Sequence, residues 1–141
     1  MSNSALDPLL ESVAPELLVP PVNCMRLALH PDGLAPRIIN LSDWRGHLLH
    51  RLRRELQLTG DPELEALLEE MRGYPGPVSP DAPDANAIMV ELHLATGDGG
   101  ELAFFSTITI FGTSRDVTVS ELSVEAFFPA DPETAERLRN R

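Results

Sequence analysis

Four histidines, one cysteine and a scatter of serines and carboxylates are the side chains with which this chain could do chemistry. His47 and His50 stand three residues apart. On a helix that spacing puts both imidazoles on adjacent turns of one face, where they could share a metal ion. The ion would need further donors from His30, His93 or an acidic side chain, and Arg51 and Arg54 beside the pair oppose a cation. A solvated helix face is the better reading, and no metal site is expected. Ser106 and Ser123 fall inside alternating apolar runs, without the strand–turn–helix elbow that lifts a nucleophilic serine out of a sheet. Cys24 opens a helical stretch whose dipole would lower a thiol pKa, yet Val22 and Met25 beside it argue for an inert buried thiol. Gly97, Gly99 and Gly100 make a turn and not a phosphate cradle, because no helix follows them. Glu91 with Glu125, or Asp116 with Glu121, could pair as acid and base, but solvated strand edges explain them without chemistry. Arg51, Arg53 and Arg54 are offset by Glu55 and the acidic stretch after it, so they form a solvated face and not a nucleic-acid patch. No catalytic residue is assigned and no cofactor is expected.

The elements that would position these groups fall into two halves. Residues 22–72 carry the helical period. Asn23 caps a short helix from Cys24 to about His30, stopped by Pro31-Asp32-Gly33. Asn40 caps a longer one, with Asp43 three residues on and Ile39 placed to staple against Trp44. Leu41, Trp44, Leu48, Leu49, Leu52 and Leu56 form a single apolar stripe along it. Thr59-Gly60 ends that helix; Asp61-Pro62 starts the next, which buries Leu64, Leu67, Leu68 and Met71. Residues 73–86, with prolines at 75, 77, 80 and 83, read as an irregular connector.

Over residues 87–128 the period becomes two, which is the signature of strands. Val90, Leu92 and Leu94 share one face of the first strand. Thr96-Gly97-Asp98-Gly99-Gly100 is a hairpin signal, and Gly112-Thr113-Ser114 a second turn. The long run between them sets Leu102, Phe104, Ser106, Ile108 and Ile110 against Phe105, Thr107, Thr109 and Phe111. In the third strand Leu122, Val124, Ala126 and Phe128 are placed on the helix-covered face, and Glu125 and Phe127 on the other. A short helix over 131–139 closes the chain. The expected architecture is α+β: three antiparallel strands with one apolar face under Leu-rich helices.

At 141 residues the chain is one domain, 1–141. A net charge of −11 repels nucleic acid and anionic membranes, so direct nucleic-acid contact by this chain is not expected. No apolar run approaches the length of about 20 residues that spans a bilayer, and the lone cysteine rules out an internal disulfide. Together these point to a cytoplasmic, non-membrane protein.

Two surfaces suggest binding. Trp44, Leu48 and Leu52 face Phe104, Ser106 and Ile108 across the layer, with one hydroxyl among bulky apolar groups; such a layer can hold an apolar ligand with a polar anchor, or can simply be a filled core. On the second sheet face Phe105, Phe111 and Phe127 have no obvious helix to cover them, so a homodimer is expected there. A small cavity enzyme would need His93 or Glu125 as a base, and the strand period puts both opposite the helices. A dimerisation module without a ligand is the plainest alternative.

Residues 27–55, LALHPDGLAPRIINLSDWRGHLLHRLRRE, and 101–131, ELAFFSTITIFGTSRDVTVSELSVEAFFPAD, resemble the ligand-binding domain of MmyB-like transcription regulators. The resemblance implies a PAS-like domain that follows a phage-repressor-type helix-turn-helix in bacterial proteins and senses a small, fatty-acid-like molecule. It turns the cavity reading into the preferred one. This chain carries no helix-turn-helix segment and starts, by that comparison, inside the sensor domain, with the N-terminal strands of a five-stranded PAS-like sheet absent. The three-stranded sheet would then have an open edge, to be covered by another chain, a swap or residues 1–22.

Overall fold

A computed structural model describes residues 7–77, 90–111 and 122–139, with the side chains of Pro8, 108–111 and 122–124 outside the description. In chain order these residues form α1 (Asp7–Leu10), α2 (Cys24–Leu29), α3 (Leu41–Thr59), α4 (Pro62–Gly73), β1 (Leu92–Ala95), β2 (Glu101–Phe111), β3 (Leu122–Pro129) and α5 (Pro132–Arg139). The fold is α+β, with an antiparallel sheet in the order β1-β2-β3. Most of the 73–86 connector and the turn at Gly112-Thr113-Ser114 lie outside the described residues.

The helices begin and end where side-chain chemistry dictates. The Asn23 carboxamide accepts from the backbone N–H groups of Met25 and Arg26, both at 3.0 Å, and so satisfies two free donors at the start of α2. Asp61 does the same for Glu63 at 2.8 Å, with Pro62 in the first turn of α4. Helix α3 ends at Gly60, whose φ of 66° lets its N–H return to Leu56 O, a conformation that costs other residues a Cβ clash. Asn40 departs from expectation, for its side chain makes no cap bond to α3.

That side chain works on the sheet instead. Asn40 Oδ1 accepts from the His93 N–H at 3.1 Å and its Nδ2 donates to Glu91 O at 2.7 Å. Ile39 N–H donates to His93 O, Ile38 bridges to Leu94, and the Arg37 guanidinium donates to Ala95 O. Residues 37–40 thus dress the outer edge of β1, which needs no second chain. The edge left without a strand neighbour among the described residues is that of β3.

The core lies between α3, α4 and the inner side of β1 and β2. Trp44, Leu48, Leu49 and Leu52 of α3 and Leu67, Leu68 and Met71 of α4 are buried with Leu92, Leu94, Leu102 and Phe104. Each such side chain withdrawn from water contributes about 1.5–3 kcal/mol, so this stripe is the main stabilising term. Arg45, between two of these residues, is buried as well, at 4% exposed. Its guanidinium donates to Met71 O at 3.2 Å, Arg72 O at 3.1 Å and Gly76 O at 3.4 Å, and so closes off the carbonyls at the end of α4. At the far end of the sheet Thr134, 1% exposed, accepts from Ala103 N–H and donates to Asp131, which docks α5 where β3 stops.

Candidate functional site: the layer between α3 and the sheet

The pairing register decides which side chains meet. Residues directly opposite in an antiparallel pair project to the same face. Phe104 pairs with Pro129, Phe105 with Phe128, Ser106 with Phe127 and Ile108 with Glu125. Phe127 and Glu125 therefore stand on the helix side with Phe104, and Phe128 stands on the outer side with Phe105. Ring geometry agrees: Phe104 and Phe127 meet edge to face at 6.5 Å, while Phe105 and Phe128 stack at 5.4 Å. The expected faces of β3 are thus exchanged. A shift of one residue in register inverts a whole strand, and pairing with β2 turns Glu125 and Phe127 inward although the strand's own alternation is more apolar at 122, 124, 126 and 128.

Of the residues expected to line a ligand site, Trp44, Leu48, Leu52 and Phe104 are buried within one core cluster, and Ser106 is half-buried on the same side of β2. The side chain of Ile108 is outside the description. The residues expected at a dimer contact are divided: Phe105 lies half-buried on the outer face, Phe127 lies on the inner one, and the Phe111 side chain is not described.

Two features of the layer bear on binding. Phe127, although it faces the helices, is 41% exposed, so the described helices leave much of its ring uncovered beside Phe104. Trp44 is 2% exposed, and among the described residues its indole N–H has no acceptor. A buried donor without a partner costs about 1–3 kcal/mol, and an acceptor brought in by a guest would recover it.

A polar group sits at the border of the layer. Arg51 of α3 reaches Glu125 of β3 at 3.5 Å. His47 packs against Trp44 with ring centroids 5.7 Å apart, and burial, then Arg51 and His50, push its pKa down. His50 is exposed, so the pair does not converge on an ion, and among the described residues no three His, Cys, Asp or Glu side chains gather as metal ligands. Cys24 is exposed and not buried as expected, because the first turn of α2 lies at the surface. Protein atoms crowding its sulfur, and then Glu125, push the thiol pKa up, with Arg51 acting more weakly against them. The result is a neutral thiol.

His93 stands on the outer face, between Glu101 and Glu91, the latter at 3.1 Å. Hydrogen bonding to Glu101, offset by some desolvation, raises its pKa. Glu91 and Glu125 are on opposite faces and form no acid–base pair. Of the two candidate bases, Glu125 alone faces the helices, and Arg51 holds it. A shallow depression of about 430 Å³ lies elsewhere, lined by Ser12, Pro31, Asp32, Pro36 and Arg37 among others, and includes none of the expected ligand residues.

No helix among the described residues is long and apolar enough to cross a membrane. Comparison with curated proteins and with solved structures finds no match. A family model does match, over residues 1–140, and it spans the helices and strands that build the layer. The chain accordingly belongs to the family described as the MmyB-like transcription regulator ligand binding domain.

Proposed function

We propose that this chain is the sensing part of a cytoplasmic transcription regulator and that it holds an apolar, fatty-acid-like molecule between α3 and the sheet. Trp44, Leu48 and Leu52 would form one wall, and Phe104, Ser106 and Ile108 the other, with the Ser106 hydroxyl as a polar anchor. The observation that carries this reading is the buried Trp44 indole N–H with no acceptor among the described residues. Buried donors are almost always satisfied, so an unpartnered one points to an acceptor that arrives with a guest or with the water a guest admits. The exposure of Phe127 on the inner side of the sheet adds support, since it leaves apolar surface beside Phe104 for a hydrocarbon chain.

The regulatory output would come from a bias between conformations, with the ligand favouring one of them by its differential affinity. A homodimer is part of the proposal. The stacked Phe105 and Phe128 on the outer face, the latter 43% exposed, are the contact that a second copy would cover. Pairing across the β3 edge would enlarge the sheet toward the PAS-like form.

Native mass spectrometry of freshly purified protein, followed by solvent extraction, tests the ligand. The expected result is an adduct that denaturation releases as an apolar acid. Adduct-free protein, together with a melting temperature that medium-chain fatty acids leave unmoved, would reject the reading.

A further inference from the structure

We infer that Glu125 is a built-in competitor for Arg51, and that an acid-bearing guest takes over the guanidinium from it. The inference rests on the proposed reading of α3 and the sheet as walls of a ligand site. Arg51 follows Trp44 by seven residues, about two helical turns along the same stripe. Among the described residues its contact with Glu125 is the one ion pair that joins α3 to the sheet. That contact is a single approach at 3.5 Å between partly exposed groups, a weak geometry. Arg26 and Glu70 show the contrast, with three hydrogen bonds between 2.8 and 3.1 Å.

The surroundings favour exchange. Phe127, two residues on from Glu125 and on the same face, offers exposed apolar surface beside the pair. The nearby His47 and Cys24 are both held toward their neutral forms, so neither competes with Arg51 for an incoming anion. A ligand carboxylate can take two parallel hydrogen bonds from a guanidinium, where Glu125 takes one long contact. An amphiphile with an acid end is therefore selected over an alcohol of the same length. Its binding also frees Glu125 of β3, an edge strand, from its contact with α3.

Isothermal titration of the full chain with laurate and with dodecanol, both below their aggregation concentrations, tests the exchange. Glu125→Gln is expected to tighten laurate by roughly two- to fivefold, the weight of a partly exposed ion pair. Arg51→Gln is expected to weaken laurate by roughly tenfold, the loss of a charge-assisted bond. Dodecanol should respond to neither. If laurate binds all three proteins equally, the acid sits elsewhere and the exchange is wrong, while the ligand site stands. If neither probe binds any of them, the site itself is rejected and the exchange with it.

Discussion

The side chain of Asn40 occupies the edge of β1 as a neighbouring strand would, accepting from the His93 N–H at 3.1 Å and donating to Glu91 O at 2.7 Å. One carboxamide thereby satisfies two backbone groups and ties the start of α3 to the sheet. Asn40→Ala should lower stability by about 1–2 kcal/mol, two ordinary hydrogen bonds. Urea denaturation would read this as a lower midpoint with an unchanged slope. An unchanged midpoint would mean that the strand edge is held by residues 37–39 alone.

Arg45 serves the end of α4 in the same spirit. Replacing it with Leu keeps an apolar stem in the core but strands the carbonyls of Met71 and Arg72, at a cost of about 2–3 kcal/mol. Lys should not rescue the loss, because one ammonium cannot reproduce the fork that reaches Met71, Arg72 and Gly76. Thermal melts of the two variants side by side would decide the point.

Sequence and structure agree best where the signals are local. The α3 stripe, the caps at Asn23 and Asp61, the glycine stop at 60 and the hairpin at 96–100 follow from neighbouring residues, and each is found. The roles of Asn40 and Arg45 are not legible locally, because their partners are distant in sequence: Glu91 and His93 for the first, the end of α4 for the second. The side of β3 departs from its sequence for another reason. The alternation favours Ala126 and Phe128 on the inner side, but pairing with β2 overrides it and sets Phe127 beside Phe104, with Glu125 held inward by Arg51.

The pKa of His93 is raised in the folded protein, first by its hydrogen bond to Glu101. Folding therefore takes up protons at this site. The stabilisation is fully present below the unfolded imidazole value near 6.5, and it is lost as pH rises through the higher folded value. The effect should be small, since all three side chains are partly exposed. Stability measured from pH 6 upward should decline in the wild type and stay flatter in His93→Gln; parallel curves would show that the pair does not matter.

On the outer face, Phe128→Lys places a charge against Phe105 where a second copy would pack. Sedimentation velocity should then show a shift from dimer toward monomer, with the melting of the monomer little changed. A variant as dimeric as the wild type would move the contact away from this face.

Trp44 is the chain's single tryptophan, and it lies in the wall of the proposed site. Its fluorescence therefore reports on that place alone. Titration with laurate below its aggregation concentration should produce a saturable change in emission, and Trp44→Phe should weaken laurate binding measured by calorimetry. Emission that stays constant while laurate is added, in a protein that remains folded, would contradict a guest beneath α3.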